Sequence, residues 1–383
     1  MAPGASAGWI APAAEALARH AERELEALVA VSSPSGDRRG AEEALAVCAA
    51  LLPDAARVER PECSSPGHAP DLLATLEGTG ERRVLLLGHV DTVVAHDDHR
   101  PLRRVGDRLT GSGAVDMKGG VVLALGALAH LARAAPPEAF GCVALLLVCD
   151  EEWRTGPFVH AERFAGWDAC LCFEAGQRGP AGEEGVVVRR KAAGTLRVTA
   201  AGASAHSGSA PDRGRNALVA LAEAVRTISS LHDPEGPDRL TAVPTVLHSG
   251  EAFNVVPANG ELHCDLRADR DAAFDAVAAA IPTEVAGARL EAGFVRRWPG
   301  MDSRAATADL LGRAGAALGR PILPMERGGA SDASHVAAHV PLTIDGLGPR
   351  GGGAHAPEEF VLARTLRERA EVGLAILGAL LEL

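Results

Sequence analysis

The sequence predicts an α/β fold: a mostly parallel sheet with helices on both faces, interrupted by an inserted α+β domain. Three observations carry that expectation. Short apolar runs alternate with helix-period segments through the first half of the chain. Beyond residue 182 the texture changes to period-2 alternation, and from about residue 299 the first texture returns. Apolar runs between helices call for a parallel sheet covered on both faces. A texture that stops and resumes is what an inserted domain leaves behind. At 383 residues the chain can hold two or three domains of ~150 residues. The boundaries read as 1–184 for the first part of the α/β domain, 185–296 for the insertion and 297–383 for the second part. A plain tandem of two domains is the alternative.

Each element has a local reason. Residues 9–30 carry an amphipathic helical period, and SSPSGD (32–37) is a turn before a second helix at 40–51. VLLLGH (84–89), CVALLLVC (142–149) and DACLCF (168–173) are buried-strand runs. GGVVLALGALAHLARAA (119–135) is a helix, and another is expected near 157–165. In the insertion, Thr195, Arg197 and Thr199 alternate with Leu196, Val198 and Ala200, as in a strand with one wet face. A helix at 213–231, strands at 241–247, 261–268 and 288–295, and a helix at 271–281 complete a ferredoxin-like strand–helix–strand–strand–helix–strand series. A helix at 305–318, a strand at 341–345 and a helix at 361–381 finish the host domain.

Composition narrows the function. With 8 Phe, 4 Trp and no Tyr, the core must be built from Ala, Val and Leu. A net charge of −12 argues against nucleic acid and against an anionic membrane surface, since both need basic footprints. The first twenty residues lack the basic and apolar regions of a signal peptide. The longest apolar stretches, such as 119–129 and 372–382, fall short of the ~20 residues that span a bilayer. Five of the seven cysteines lie in strand-like runs and none forms a CxxC pattern. Free buried thiols in a reducing cytoplasm are the expectation.

Acidic and imidazole groups recur at one structural place. The strand at 84–89 ends in His89, with Asp91 two residues on; the strand at 142–149 runs into Asp150-Glu151-Glu152; the strand at 168–173 ends next to Glu174. Ligand sites in open α/β sheets form outside the carboxyl ends of the strands, so these residues should share a rim. The glycine-rich loop GSGAVDMKGG can bring Asp116 there, and GLGPRGGGAH can bring His355. Three adjacent negative charges after an apolar run need compensation, by a cation or by solvent. Imidazole and carboxylates suit a divalent ion, and five such groups exceed what one catalytic ion uses. Two ions sharing a carboxylate would use them all. In His89-x-Asp91 the aspartate can accept the free ring N–H and fix the tautomer. No P-loop, no GxGxxG opening a helix and no G-x-S-x-G is present.

GHVDTV, GSGAVDMKGG, CDEEW and GGGAHAPEE, in that order, resemble the motif blocks of the dinuclear-zinc aminoacylase/carboxypeptidase family. That family includes glutamate carboxypeptidase, acetylornithine deacetylase and succinyl-diaminopimelate desuccinylase. GASAHSGSAPDRGRNAL, EAFNVVPANGELHCDLR and ERGGASDAS look closest to the glutamate carboxypeptidase branch. The resemblance runs from about residue 70 to the C-terminus. It implies that His89 and Glu174 hold one zinc, that Glu152 and His355 hold the other, and that Asp116 bridges them through a residue followed by a cis peptide bond. Glu151 would be the general base and Asp91 the orienting residue. His206 would stabilise the oxyanion, often across a dimer. Asn254 and Arg267 would position substrate, with Arg296 or Arg297 as a further cationic contact. Trp153 departs from the pattern, since small or polar residues are common there.

The implied activity is zinc-dependent hydrolysis of the amide bond of an N-acyl amino acid or of a C-terminal amino acid. It would use a metal-activated water, with cobalt or manganese as the alternative ions. The insertion would act as a lid and dimerisation module in a cytoplasmic homodimer. Two rivals remain: a catalytically silent relative that binds peptides or partners, and a mononuclear metal-binding domain.

Overall fold

The computed structural model describes residues 7–383; the first six, on which the expectation of no signal peptide partly falls, lie outside the described residues. The chain divides into two compact units. One comprises residues 1–189, 302–326 and 331–383, and the other 190–301 with 327–330.

The first unit is built on a six-stranded mixed sheet. Its order is Arg57–Glu59, Leu72–Glu77, Cys142–Val148, Arg83–His89, Ala169–Cys172 and Thr343–Ile344. The last four strands are mutually parallel. Leu72–Glu77 runs antiparallel to both of its neighbours, which the sequence reading did not foresee. The strand Leu72–Glu77 has no crossover helix after it. The chain instead steps over the start of Cys142–Val148, where Gly78 N–H donates to Gly141 O and Gly80 N–H to Phe140 O, both at 2.9 Å. A Cβ on Gly78 would stand 2.0 Å from Phe140 O, so only glycine allows this crossing.

Helices Ile10–Val29, Gly119–Ala134 and Ala363–Leu381 pack together in the same core. Ala14, Ala21, Leu25 and Leu28 form the buried stripe of the first. The run Ala114–Ala134 meets the length and hydropathy of a membrane span, although the sequence reading counted no such segment. In this fold 78% of its window is buried, and it is a core helix. The helix expected near 157–165 is reduced to a 3-10 turn, Ala161–Phe164. Thr155 N–H and Val159 N–H are taken by the Ser65 and Ser64 hydroxyls instead of a helical ladder, and Arg154 turns inward to Asp150.

The second unit has its own core and an antiparallel sheet ordered Thr241–Ser249, Asn259–Ala268, Ala192–Ala201, Ala288–Trp298 and Glu284–Val285. The four long strands thus stand in the order second, third, first, fourth, as a split strand–helix–strand repeat requires. Leu196 and Val198 face helices Ala217–Ser230 and Ala273–Ala280, while Arg197 is exposed. Asn216 caps the first of these helices by accepting from Leu218 N–H and Val219 N–H.

Candidate metal centre

The parallel register sets the rim. His89 is opposite Val148, and Leu87 is opposite Cys172, so His89, Glu151, Glu152 and Glu174 leave the sheet at one edge. Asp116 comes from the segment Ala114–Lys118, whose backbone is non-helical at Asp116 and Met117 and whose Asp116–Met117 peptide bond is cis. His355 lies on the loop between the short strands Gly351–Gly352 and Phe360–Leu362, in the left-handed region at φ 65°. That conformation is unusual for any residue other than glycine.

These residues form two groups that share one carboxylate. In the first, His89 Nε2 stands 3.3 Å from Asp116 Oδ1 and 3.7 Å from Glu174 Oε1. In the second, His355 Nε2 stands 3.2 Å from Asp116 Oδ2 and 3.2 Å from Glu152 Oε2. The potential ligand atoms of each group lie within 4.8 Å of one another. His89 Nδ1 is 3.1 Å from the Asp91 carbonyl and 3.2 Å from its carboxylate. The Asp91 carboxylate also accepts from Glu151 N–H and Glu152 N–H, so one side chain orients the ring and ties the strand end to the acidic segment.

The donor set fits a cation. With Nδ1 donating to Asp91, Nε2 of a neutral His89 is a bare lone pair aimed at two carboxylates. Glu152 Oε1 is buried and has no hydrogen-bond partner among the described residues. Burial works against charging His89, but its hydrogen bonds to Asp116 and Asp91 push it well above its ordinary range. Hydrogen bonds to Asp116 and Glu152 push His355 up to about 10. Burial alone would raise Asp116, yet the two histidines hold it well below the usual carboxylate range. Both rings sit where positive charge is favoured, and a proton or a divalent cation can supply it. Burial pushes Glu151 well above the carboxylate range despite His89, with Glu174, Asp332 and Glu152 adding to the rise.

Asp150 is not part of either group. Its carboxylate accepts from Ser65 Oγ at 2.7 Å and from Arg154, which also clamps Asp332. An arginine therefore compensates one member of the acidic triplet, where the sequence pointed to a cation or solvent. Three supporting residues were missed from sequence. Arg154 neutralises Asp150, Lys118 is fully buried and donates to Val31 O, and Glu359 accepts three backbone N–H groups around Asp116. Glu359 sits in the GGGAHAPEE block, and its place four residues after His355 was the available signal.

The remaining expected site residues belong to the second unit. His206 is exposed, and its Nδ1 accepts from Gly208 N–H and Ser209 N–H. That fixes the proton on Nε2 and makes Nε2 a donor. Ser207 N–H donates to the Asn254 carbonyl, so the two loops run side by side. Arg267 pairs with Asp265 along its own strand, and Arg297 is engaged by Asp271 and Asp275. Arg296 stacks on Trp298, 4.4 Å from the ring centroid.

Comparison with known proteins agrees with this architecture. The model of peptidase family M20/M25/M40 matches residues 85–379. Carboxypeptidase G2 from Pseudomonas sp. (strain RS-16) is 27% identical over 358 residues, 88% of this chain and 84% of that protein. Succinyl-diaminopimelate desuccinylase from Rhodospirillum centenum (strain ATCC 51521 / SW) is 30% identical over 314 residues, 76% of this chain and 79% of that protein. The crystal structure of aminopeptidase PepT from Bacillus cereus ATCC 10987 superposes with a TM-score of 0.78 at 20% identity. It covers 95% of this chain and 98% of its own, a likeness of fold.

Proposed function

We propose a specific chemistry from this premise: the chain belongs to peptidase family M20/M25/M40 and is a hydrolase enzyme. The reading is hydrolysis of the amide bond of an N-acyl amino acid or of a C-terminal amino acid, dependent on two divalent ions, zinc first. The observation that carries it is Asp116, whose two oxygens face two histidines in two separate ligand groups. His89 and Glu174 would hold one ion, Glu152 and His355 the other, with Asp116 shared. When bound, such ions polarise the scissile carbonyl and acidify water at neutral pH.

The chain's own groups do the rest. Glu151 takes a proton from the attacking water and passes it to the leaving amine nitrogen. Asp91 holds the His89 ring so that Nε2 faces Asp116. His206 donates from Nε2 to the developing oxyanion. Asn254 and Arg267 orient the substrate, Arg267 by sharing its guanidinium between Asp265 and a substrate carboxylate. Carboxypeptidase G2 and the desuccinylase among the relatives support amide hydrolysis as the reaction.

The insertion, 185–296, serves as a lid and dimerisation module in this reading. Support comes from the edge strand Thr241–Ser249, which exposes Val243, Val246 and Leu247 along unpaired backbone. Seven free cysteines among the described residues support a cytoplasmic setting.

Two measurements test the proposal. Elemental analysis after zinc reconstitution should give two ions per chain. A turnover screen of N-acyl amino acids against peptides ending in glutamate should find one class cleaved. One ion or none, or no turnover of either class, counts against it.

A further inference from the structure

We infer that Glu359 is a positioning residue for the shared aspartate, and that both ligand groups depend on it; the inference rests on the divalent-ion reading of the site. Glu359 is 2% exposed. Its Oε1 accepts from Val115 N–H at 2.8 Å and Asp116 N–H at 2.9 Å, and its Oε2 accepts from Gly113 N–H at 2.9 Å. Those amides need an external acceptor. Gly113 is left-handed at φ 72° and Asp116 is non-helical, so this stretch cannot satisfy its N–H groups along a regular helical ladder. One carboxylate thus fixes the backbone from Gly113 to Asp116, the turn that presents the Asp116 side chain.

The same residue reaches the second group through its own backbone. Glu359 N–H donates to Ala356 O, Ala356 N–H donates to Gly353 O, and Gly111 N–H donates to Glu359 O. His355 lies inside that short loop. Glu359 therefore joins the loop bearing His355 to the loop bearing Asp116. Three hydrogen bonds from one side chain hold the turn that presents Asp116, and a side chain of another length or with one acceptor fewer could not make all three.

The test compares the wild type with Glu359→Ala, Glu359→Gln and Glu359→Asp. Zinc affinity is measured by competition with a chromophoric chelator, and ligand geometry by the visible spectrum of the cobalt-loaded protein. Glu359→Ala should weaken zinc binding about 10–100-fold at both sites and alter the cobalt bands, the range usual for loss of an outer partner of a ligand. Glu359→Gln, which keeps one acceptor oxygen, should lose less. If Glu359→Ala fails to fold, the ordering is read from Glu359→Gln and Glu359→Asp, each expected to bind zinc more weakly than wild type. A lowered Tm of the zinc-free variant with unchanged zinc affinity and cobalt spectrum would show a merely structural role and overturn the inference. A wild type that binds no ion overturns the divalent-ion reading itself, and this inference with it.

Discussion

The two groups that share Asp116 have the same composition and opposite settings. Each adds one histidine and one glutamate to the common carboxylate. His89 ends a central parallel strand and its side chain is 1% exposed; His355 rides a glycine-rich loop and is 54% exposed. His89 is also oriented by Asp91, whereas the His355 ring is held, among the described residues, by the two carboxylates it faces. A ligand built into a sheet is fixed by the fold, and a ligand on a loop is fixed by what it binds. One half of the site should therefore behave as part of the core, and the other as an exchangeable position.

The largest expected effect falls on the group that both halves serve. Glu151→Gln keeps the shape and removes the base, so kcat should fall by at least ~10²-fold, with both ions still bound by elemental analysis. Loss of an ion in that variant would mean that the roles of Glu151 and Glu152 are exchanged.

Next comes the asymmetry itself. His89→Ala leaves a cavity and unpartnered carboxyl groups in the core, and should lower the denaturant midpoint by an amount equal to about 2–4 kcal/mol. His355→Ala should release one ion per chain while leaving that midpoint, measured in chelator, nearly unchanged. Equal destabilisation by the two variants would break the comparison.

The smallest effect isolates the loop backbone. With φ at 65°, residue 355 adopts a conformation open to glycine, so zinc-free His355→Gly should be more stable than His355→Ala by about 1 kcal/mol in chemical denaturation. No difference between them would mean that the loop relaxes freely and carries no constraint.

What could be read from sequence follows the same division. His89, Glu152 and Glu174 were legible because each lies at or shortly beyond the end of an apolar strand, and strand ends are local facts. His355 was legible through its glycine-rich approach. The role of Glu359 was not, because its partners lie 243–246 residues away; Arg154 has Asp150 four residues away, but its second partner, Asp332, is 178 residues off. The antiparallel strand Leu72–Glu77 was missed for a related reason. Its pairing partner begins at Cys142, and the glycines that permit the crossing read locally as an ordinary turn.

The packing of helix Ile10–Val29 against Ala363–Leu381 has a consequence for how the chain is made. Glu15 pairs with Arg367 at 3.1 Å, and Trp9 lies against Gly378. The first helix thus waits for a partner about 330 residues downstream, roughly 15–70 s of translation at about 5–20 residues per second. The other unit, with a core of its own, can finish within that interval. His355 is also synthesised long after His89, Asp116, Glu152 and Glu174. A nascent chain on the ribosome therefore holds His89, Asp116, Glu152 and Glu174 before the imidazole of the second group exists, and that imidazole arrives just ahead of the helix that completes the cover of the first.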